Sequence, residues 1–323
     1  MKYIIMFNKI LKIFKENIQI NQTLILSFLL FLGVYFFKLD ISILEIVTVF
    51  LTVIILDAII LYKIKWNFVF PFSWINAWFW ISFFLRSDDL IIYIFAGIIA
   101  ILWKYLITHK WKHFLNPSNM AVFISLIIFP QIAWTNPLQW GQSVELQKYI
   151  LAIFSVLILW FFIINRLKKI LKFNFLDLIF SFTLTHILLF LTITQESSLN
   201  SFLLFFNVSF LIFVFFMLTD PKTNLKTSIF RILYWSSVAI IFYILQFFIN
   251  ENYSLLWSLF FMTLLLPFFR SIEDYYIENK AKKSIYFFLI FIVFLLILLS
   301  YLYVIEWPID LLFDNRCNML FCN

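Results

Sequence analysis

The sequence predicts an all-α fold, a polytopic transmembrane helix bundle of about 10 to 11 spans, and three observations carry that reading. Hydrophobic residues make up 64% of the 323 residues and charged residues only 13%, which excludes a soluble globule with a polar surface. The apolar residues come in continuous runs near the roughly 20 residues that cross a bilayer, not in the short alternating segments of a barrel. Finally, Lys and Arg alternate between rich and poor connecting loops, as the positive-inside rule requires of correctly drawn spans.

The chain opens with a basic stretch holding Lys2, Lys9, Lys12 and Lys15. No small-residue cleavage site follows it, so residues 1–20 read as a retained interfacial amphipathic segment. Spans are then expected at Thr23–Phe37, Ile41–Tyr62, Asn67–Leu85, Leu90–Thr108, Asn116–Trp134 and Gln147–Asn165. Five more are expected at Asn174–Thr194, Leu199–Thr219, Thr227–Ile249, Ser254–Phe269 and Ser284–Ile305. With the N-terminus inside, Lys63, Lys65, Lys104, Lys110, Lys112, Arg166, Lys168, Lys169, Lys172, Lys222, Lys226, Arg231, Arg270, Lys280, Lys282 and Lys283 join the N-terminal lysines on the inner side. Lys38, Arg86, Lys148 and Arg316 fall outside, which places the C-terminal tail, residues 306–323, on the extracytoplasmic face of a bacterial inner membrane. Every loop is short and no Gly/Ser/Pro-rich tract appears, so residues 1–323 read as one membrane domain.

The composition also excludes functions. Only Gly33, Gly97 and Gly141 occur, too few for a phosphate-cradling loop or a dinucleotide fold. The net charge of +7 sits at helix ends rather than in a patch, so the expected surroundings are a lipid bilayer and no nucleic acid. His109 and His113 have a metal-compatible spacing, but no carboxylate or cysteine completes a set and no metal site is expected.

Polar residues inside spans need reasons. Asn116 can N-cap the fifth span with Pro117 at the first helical position, and Asn119 follows on the same face. One reading is a plain cap; the other is a helix tip whose free N–H groups and carboxamides receive a ligand rich in carbonyl and ring-nitrogen acceptors, as a flavin is. At the end of the eighth span, "FFMLTDPKTN" stops at Pro221 and leaves Asp220 at a helix C-terminus, where Lys222 or a ligand N–H would compensate it. These two tips are expected to meet at the cytosolic face in one polar receptacle. "WTNPLQWGQ", Trp134 to Gln142, reads as an interfacial tryptophan belt with a turn at Gly141. His186 lies mid-membrane, as a proton-active group or a neutral core imidazole. Glu45, Asp57 and Asp177 lie near span ends, where each can hold a cation, relay a proton or pair with a base such as Arg231. Cys317 and Cys322 can close a small disulfide loop outside.

Taken together, "KYLITHKWKHFLNPSN" (Lys104 to Asn119), "NPLQWG" (Asn136 to Gly141) and "FFMLTDPKT" (Phe215 to Thr223) resemble the RnfD/NqrB family, the membrane proteins of the Rnf complex and of the sodium-translocating NADH:quinone reductase. Standalone enediyne-biosynthesis proteins, with a similar His-x-Phe-Asn-Pro-Ser-Asn and Gln-Trp-Gly, look nearest. The resemblance implies a bundle of about ten helices that holds flavin and moves electrons, in some complexes coupled to sodium or proton movement. It implies that Asn116, Pro117 and Asn119 face the flavin, with Ser118 and Trp140 in the same set, and that Thr219, Asp220 and Pro221 match a Thr-Asp-Pro turn. The family members of the large complexes attach FMN through a threonine in Ser-Gly-Ala-Thr. Here Gly33 precedes Val34, Gly97 precedes Ile98 and Gly141 precedes Gln142, so a flavin, riboflavin or FMN, is expected to be noncovalent or absent. Lacking iron–sulfur ligands and an NADH site, such a chain needs partner redox proteins. The competing expectations are a standalone small-molecule or ion transporter on the same scaffold, and a membrane enzyme or assembly factor of a secondary-metabolite pathway.

Overall fold

A computed structural model describes residues 18–35, 39–65, 74–106, 116–135, 153–154, 156–158, 161, 175–193, 210–211, 213–219, 224–249, 251–279 and 283–304. The basic N-terminal stretch, His109, His113, Trp140, Gly141, Asp220, Pro221, Lys222, Cys317, Cys322 and most of the sixth span lie outside the described residues.

The fold is an all-α bundle. Its helices are α1 (Ile18–Tyr35), α2 (Ile43–Lys65), α3 (Trp74–Phe84), α4 (Leu90–Leu106), α5 (Pro117–Ile128), α6 (Leu176–Ile193), α7 (Ser228–Gln246), α8 (Glu251–Asn279) and α9 (Lys283–Val304). A π-helical turn, Phe213–Met217, precedes α7. Among the described residues, five helices are long and apolar enough to cross a membrane. The peripheral faces of α2 (Ile43, Val47, Leu51, Ile55, Ile59) and α9 (Tyr286, Ile290, Val293, Ile297) are exposed, while Asp57, Arg86, Arg231 and Glu273 are buried. Apolar outside and polar inside is the inverse of a soluble bundle, and it identifies a membrane protein whose outer faces meet lipid.

Several helix ends differ from expectation, each for a local reason. The expected fifth span runs to Trp134, but α5 stops at Ile128 because Pro130 disfavours helix at the residue before it, Phe129, which has φ −123 and ψ 54. The chain then turns into β2 (Ala133–Trp134), which pairs antiparallel with β1 (Arg86–Ser87), a small bridge the all-α reading did not foresee. At this bridge the Arg86 guanidinium donates to the carbonyls of Ser82, Phe83 and Leu85. It thereby closes the C-terminus of α3. Burial pulls Arg86 down to about 10, so it stays charged at neutral pH. At the other extreme, the span expected to end at Phe269 continues, as α8, through Pro267 to Asn279.

Packing divides the bundle into two groups. α3 touches α1, α2, α4 and α5, and α4 also packs on α2 and α5; α7 packs on α6, α8 and α9; the groups meet where α8 packs against α5. Within each group the contacting ends are those the charge alternation puts on one side. Asp57 of α2 binds Lys104 of α4, and the start of α7 binds the last turns of α8.

Candidate functional site

The meeting of α5 and α8 is built from the N-terminus of α5. Asn116 is its N-cap, with extended backbone, and Pro117 fills the first helical position as expected. The Asn116 Oδ1 accepts from Ser118 N (3.2 Å), Ser118 Oγ (2.7 Å) and Asn119 N (3.4 Å). Its side-chain oxygen is therefore fully occupied by capping.

Asn119 is different. Its Nδ2 donates to the carbonyl of Leu256 on α8 at 3.2 Å, and its Oδ1 has no partner although the residue is only 2% exposed. Because a carbonyl can only accept, the amide cannot be turned the other way, and the lone atom is an acceptor. Leaving such an atom unmatched costs about 1–3 kcal/mol.

The surroundings of Asn119 are aromatic. Met120 and Phe123 of α5 and Phe260 of α8 form a cluster separate from the main core, with Trp103, Ile124 and Trp257 packed on it. Phe123 stacks on Phe260 at 3.7 Å between ring centroids and meets Trp257 edge-on at 4.6 Å. The indole N–H groups of Trp103 and Trp257 are both buried without a partner. A buried tryptophan N–H ordinarily finds an acceptor. One acceptor and two donors thus border a single aromatic cluster at a helix N-terminus.

α5 has 12 residues, about 18 Å of helix, too short for a hydrocarbon core of about 30 Å.

Thr219 has local partners. Thr219 Oγ1 donates to Phe215 O at 2.6 Å, back into the π-helical turn. The following chain is fixed by Asn224, which donates to Leu218 O (2.8 Å) and accepts from Trp235 Nε1 (2.7 Å). Glu273 of α8 then accepts from Lys226 N (2.9 Å) and Thr227 N (2.6 Å). Along α8, Leu256 beside Asn119 and Glu273 beside Thr227 are separated by roughly 25 Å of helix. Asp220 and Pro221, which with Thr219 make the second expected tip, lie outside the described residues, and the expected meeting of the two tips falls outside them too.

Buried atoms without a partner also occur away from α5, at Trp74 Nε1, Ser82 Oγ, Tyr234 OH and Gln246 Nε2, whereas the acidic residues of the spans are bound. Ser42 and Glu45 form a capping box at the start of α2, Ser42 N to Glu45 Oε2 at 2.8 Å and Glu45 N to Ser42 Oγ at 3.2 Å. Asp57 accepts from Lys104 Nζ (2.7 Å) and Tyr105 OH (2.5 Å). Asp177 is bound by Ser228 Oγ and by Arg231 Nε at 3.0 Å. His186 is fully buried between the rings of Phe182, Phe210, Phe242 and Tyr243. No group of metal-ligating side chains occurs among the described residues.

Sequence reasoning found Asn116 and Asn119 from the Asn-Pro start but passed over Trp103, Trp257 and Glu273. Both tryptophans lie near span ends, where an interfacial belt already accounts for them, so nothing in the sequence singles them out. Searched against known proteins, the chain matches no family model and no curated protein.

Proposed function

We propose that this chain is an integral membrane electron-transfer protein of the Rnf and quinone-reductase type, holding riboflavin or FMN noncovalently at the start of α5. The observation that carries the reading is the buried, unpartnered Asn119 Oδ1 at the start of α5, with the unpartnered indole N–H groups of Trp103 and Trp257 on residues that pack on the adjoining aromatic cluster. A flavin ring offers both the N–H and the carbonyls that these atoms lack. When bound, flavin supplies transfer of one or two electrons. Asn119, Trp103 and Trp257 would hold the group, and Phe123 and Phe260 would keep water from it. Electrons then need partner redox proteins on both sides, and the membrane is the bacterial inner membrane with the N-terminus inside and the C-terminus outside.

The test is the absorbance spectrum of the gently extracted protein. Flavin is expected in the wild type and lost in Asn119→Leu, and retained in Thr192→Ala on an exposed face of α6. A wild type that neither carries flavin nor takes it up from added riboflavin or FMN overturns the proposal.

A second reading, a small-molecule or ion transporter, is favoured by α5 itself, since short helices with polar tips inside the bilayer build the substrate sites of many secondary transporters. It expects substrate movement in vesicles with no electron donor present, and Asn119→Leu to abolish it.

A further inference from the structure

Between α1, α2 and α3 lies an open groove of about 240 Å³, bounded by Ser27 to Tyr35 along α1, Ile43 and Ile46 of α2, and Trp78 and Phe79 of α3. α1 and α2 both pack on α3, and the groove is the gap left between them over its surface. Its lining is almost wholly apolar. Phe31 and Tyr35 stand along one wall with ring centroids 4.8 Å apart, and Trp78 with Phe79, 4.3 Å apart, makes the floor. The Trp78 N–H donates to the Ile46 carbonyl at 3.0 Å, so the indole asks nothing polar of an occupant.

Size and shape narrow the occupant. The volume falls below the roughly 300–1,000 Å³ of sites for drug-sized ligands. From Ser27 to Tyr35 the groove follows about 12 Å of helix, most of the roughly 15 Å that one leaflet adds to the hydrocarbon core. A single acyl chain has that length and carries no polar atom. Charge narrows it further. The groove runs up to the α1–α2 connection, where Asp40 is exposed and Glu45 caps α2. Both carboxylates act on the Arg86 guanidinium, which puts the turn holding Asp88 and Asp89 at the same end. Among the described residues, four carboxylates there meet one buried guanidinium, an excess that favours an ammonium headgroup and repels an anionic one.

We propose that the groove seats one amine phospholipid, a phosphatidylethanolamine, whose acyl chain lies along α1 between Phe31 and Trp78 and whose ammonium meets Asp40. The second chain stays in the surrounding bilayer.

The experiment places the full-length wild-type chain in nanodiscs of phosphatidylethanolamine or of phosphatidylglycerol, each carrying a diazirine midway along one acyl chain, and maps the photo-adducts by peptide mass. Lipid kept through detergent exchange is counted in parallel by native mass spectrometry. Adducts are expected to concentrate on Phe31, Val34 and Trp78 over Ile290 and Val293, which stand on the open face of α9 where only bulk lipid reaches. Phosphatidylethanolamine is expected to be kept about threefold better than phosphatidylglycerol. Val34→Trp, which fills the groove, should lose the kept lipid, whereas Val293→Trp should hold it; Asp40→Asn should hold the lipid and erase the headgroup preference. Equal labelling of the groove and of α9 overturns the seat. Phosphatidylglycerol kept as well as phosphatidylethanolamine, or better, overturns the amine assignment. Both of these readouts are taken on the wild type and need no variant to fold.

Discussion

Asn116 and Asn119 are three residues apart and are expected to respond differently to substitution. Asn116→Ala removes three accepted hydrogen bonds from a buried helix start and should cost about 1–2 kcal/mol, with Asn116→Asp restoring most of it. Asn119→Leu removes an unmatched acceptor together with the bond to the Leu256 carbonyl, two effects that offset, so the ligand-free chain should change by less than about 1 kcal/mol. Denaturant unfolding in micelles measures both, and an Asn119→Leu loss larger than that of Asn116→Ala would make Asn119 a structural residue. The Asp177–Arg231 pair gives a contrasting case, because both partners are satisfied. Either single change to Ala leaves one buried charge and should cost about 3–5 kcal/mol, while Asp177→Leu with Arg231→Met should recover most of the loss. Single variants as stable as the wild type would mean the pair is solvated. The pairing of Asp177 was open in the sequence, which supplied both residues but not the alignment of α6 with α7.

At the scale of elements, the helices were legible and their ends were not. Apolar runs announce spans, but the stop at Pro130 and the continuation through Pro267 depend on whether neighbouring packing tolerates a missing N–H. Caps were partly legible: Asn116-Pro117 reads directly, and Ser42 with Glu45 has the spacing of a capping box. The anchor of α7 was not. Thr227 makes no side-chain cap bond, and the N–H groups of Lys226 and Thr227, just ahead of the helix, donate to Glu273, 1% exposed on another helix and 46 residues from Thr227 in sequence. Glu273→Ala should therefore speed exchange of the Lys226 and Thr227 amides selectively, with Glu273→Gln intermediate. Uniform acceleration across α7 would argue against a local anchor. Helix contact has its own test at Gly97, where an added Cβ would lie 2.8 Å from Thr52 Cγ2. Gly97→Ala should destabilise by about 1–3 kcal/mol, and Thr52→Ser in the same chain, which deletes that methyl, should rescue it. Failure of rescue would place the strain elsewhere.

For the whole molecule, the lipid-facing reading is what separates this bundle from a soluble one. Ile290 and Val293 on α9 are exposed, and lysine there would be nearly neutral in water. In a bilayer each lysine should cost about 2.5–3.5 kcal/mol, seen as reduced membrane insertion of Ile290→Lys relative to Ile290→Ser. Equal insertion would contradict the bilayer-facing assignment. The site, by contrast, was only half legible, since it needs α4, α5 and α8 together. Asn119 stood out as a costly residue, yet Trp103 and Trp257 gain meaning only when their N–H groups are seen to lack acceptors.

One consequence concerns mechanics. α8 touches Asn119 near one end and Thr227 near the other, through Glu273, and Pro267 lies between them, denying the Thr263 carbonyl its usual helical donor. The rod is thus missing one rung of its own ladder, and Pro267→Ala, which restores that rung, should slow amide exchange around the break without changing either end.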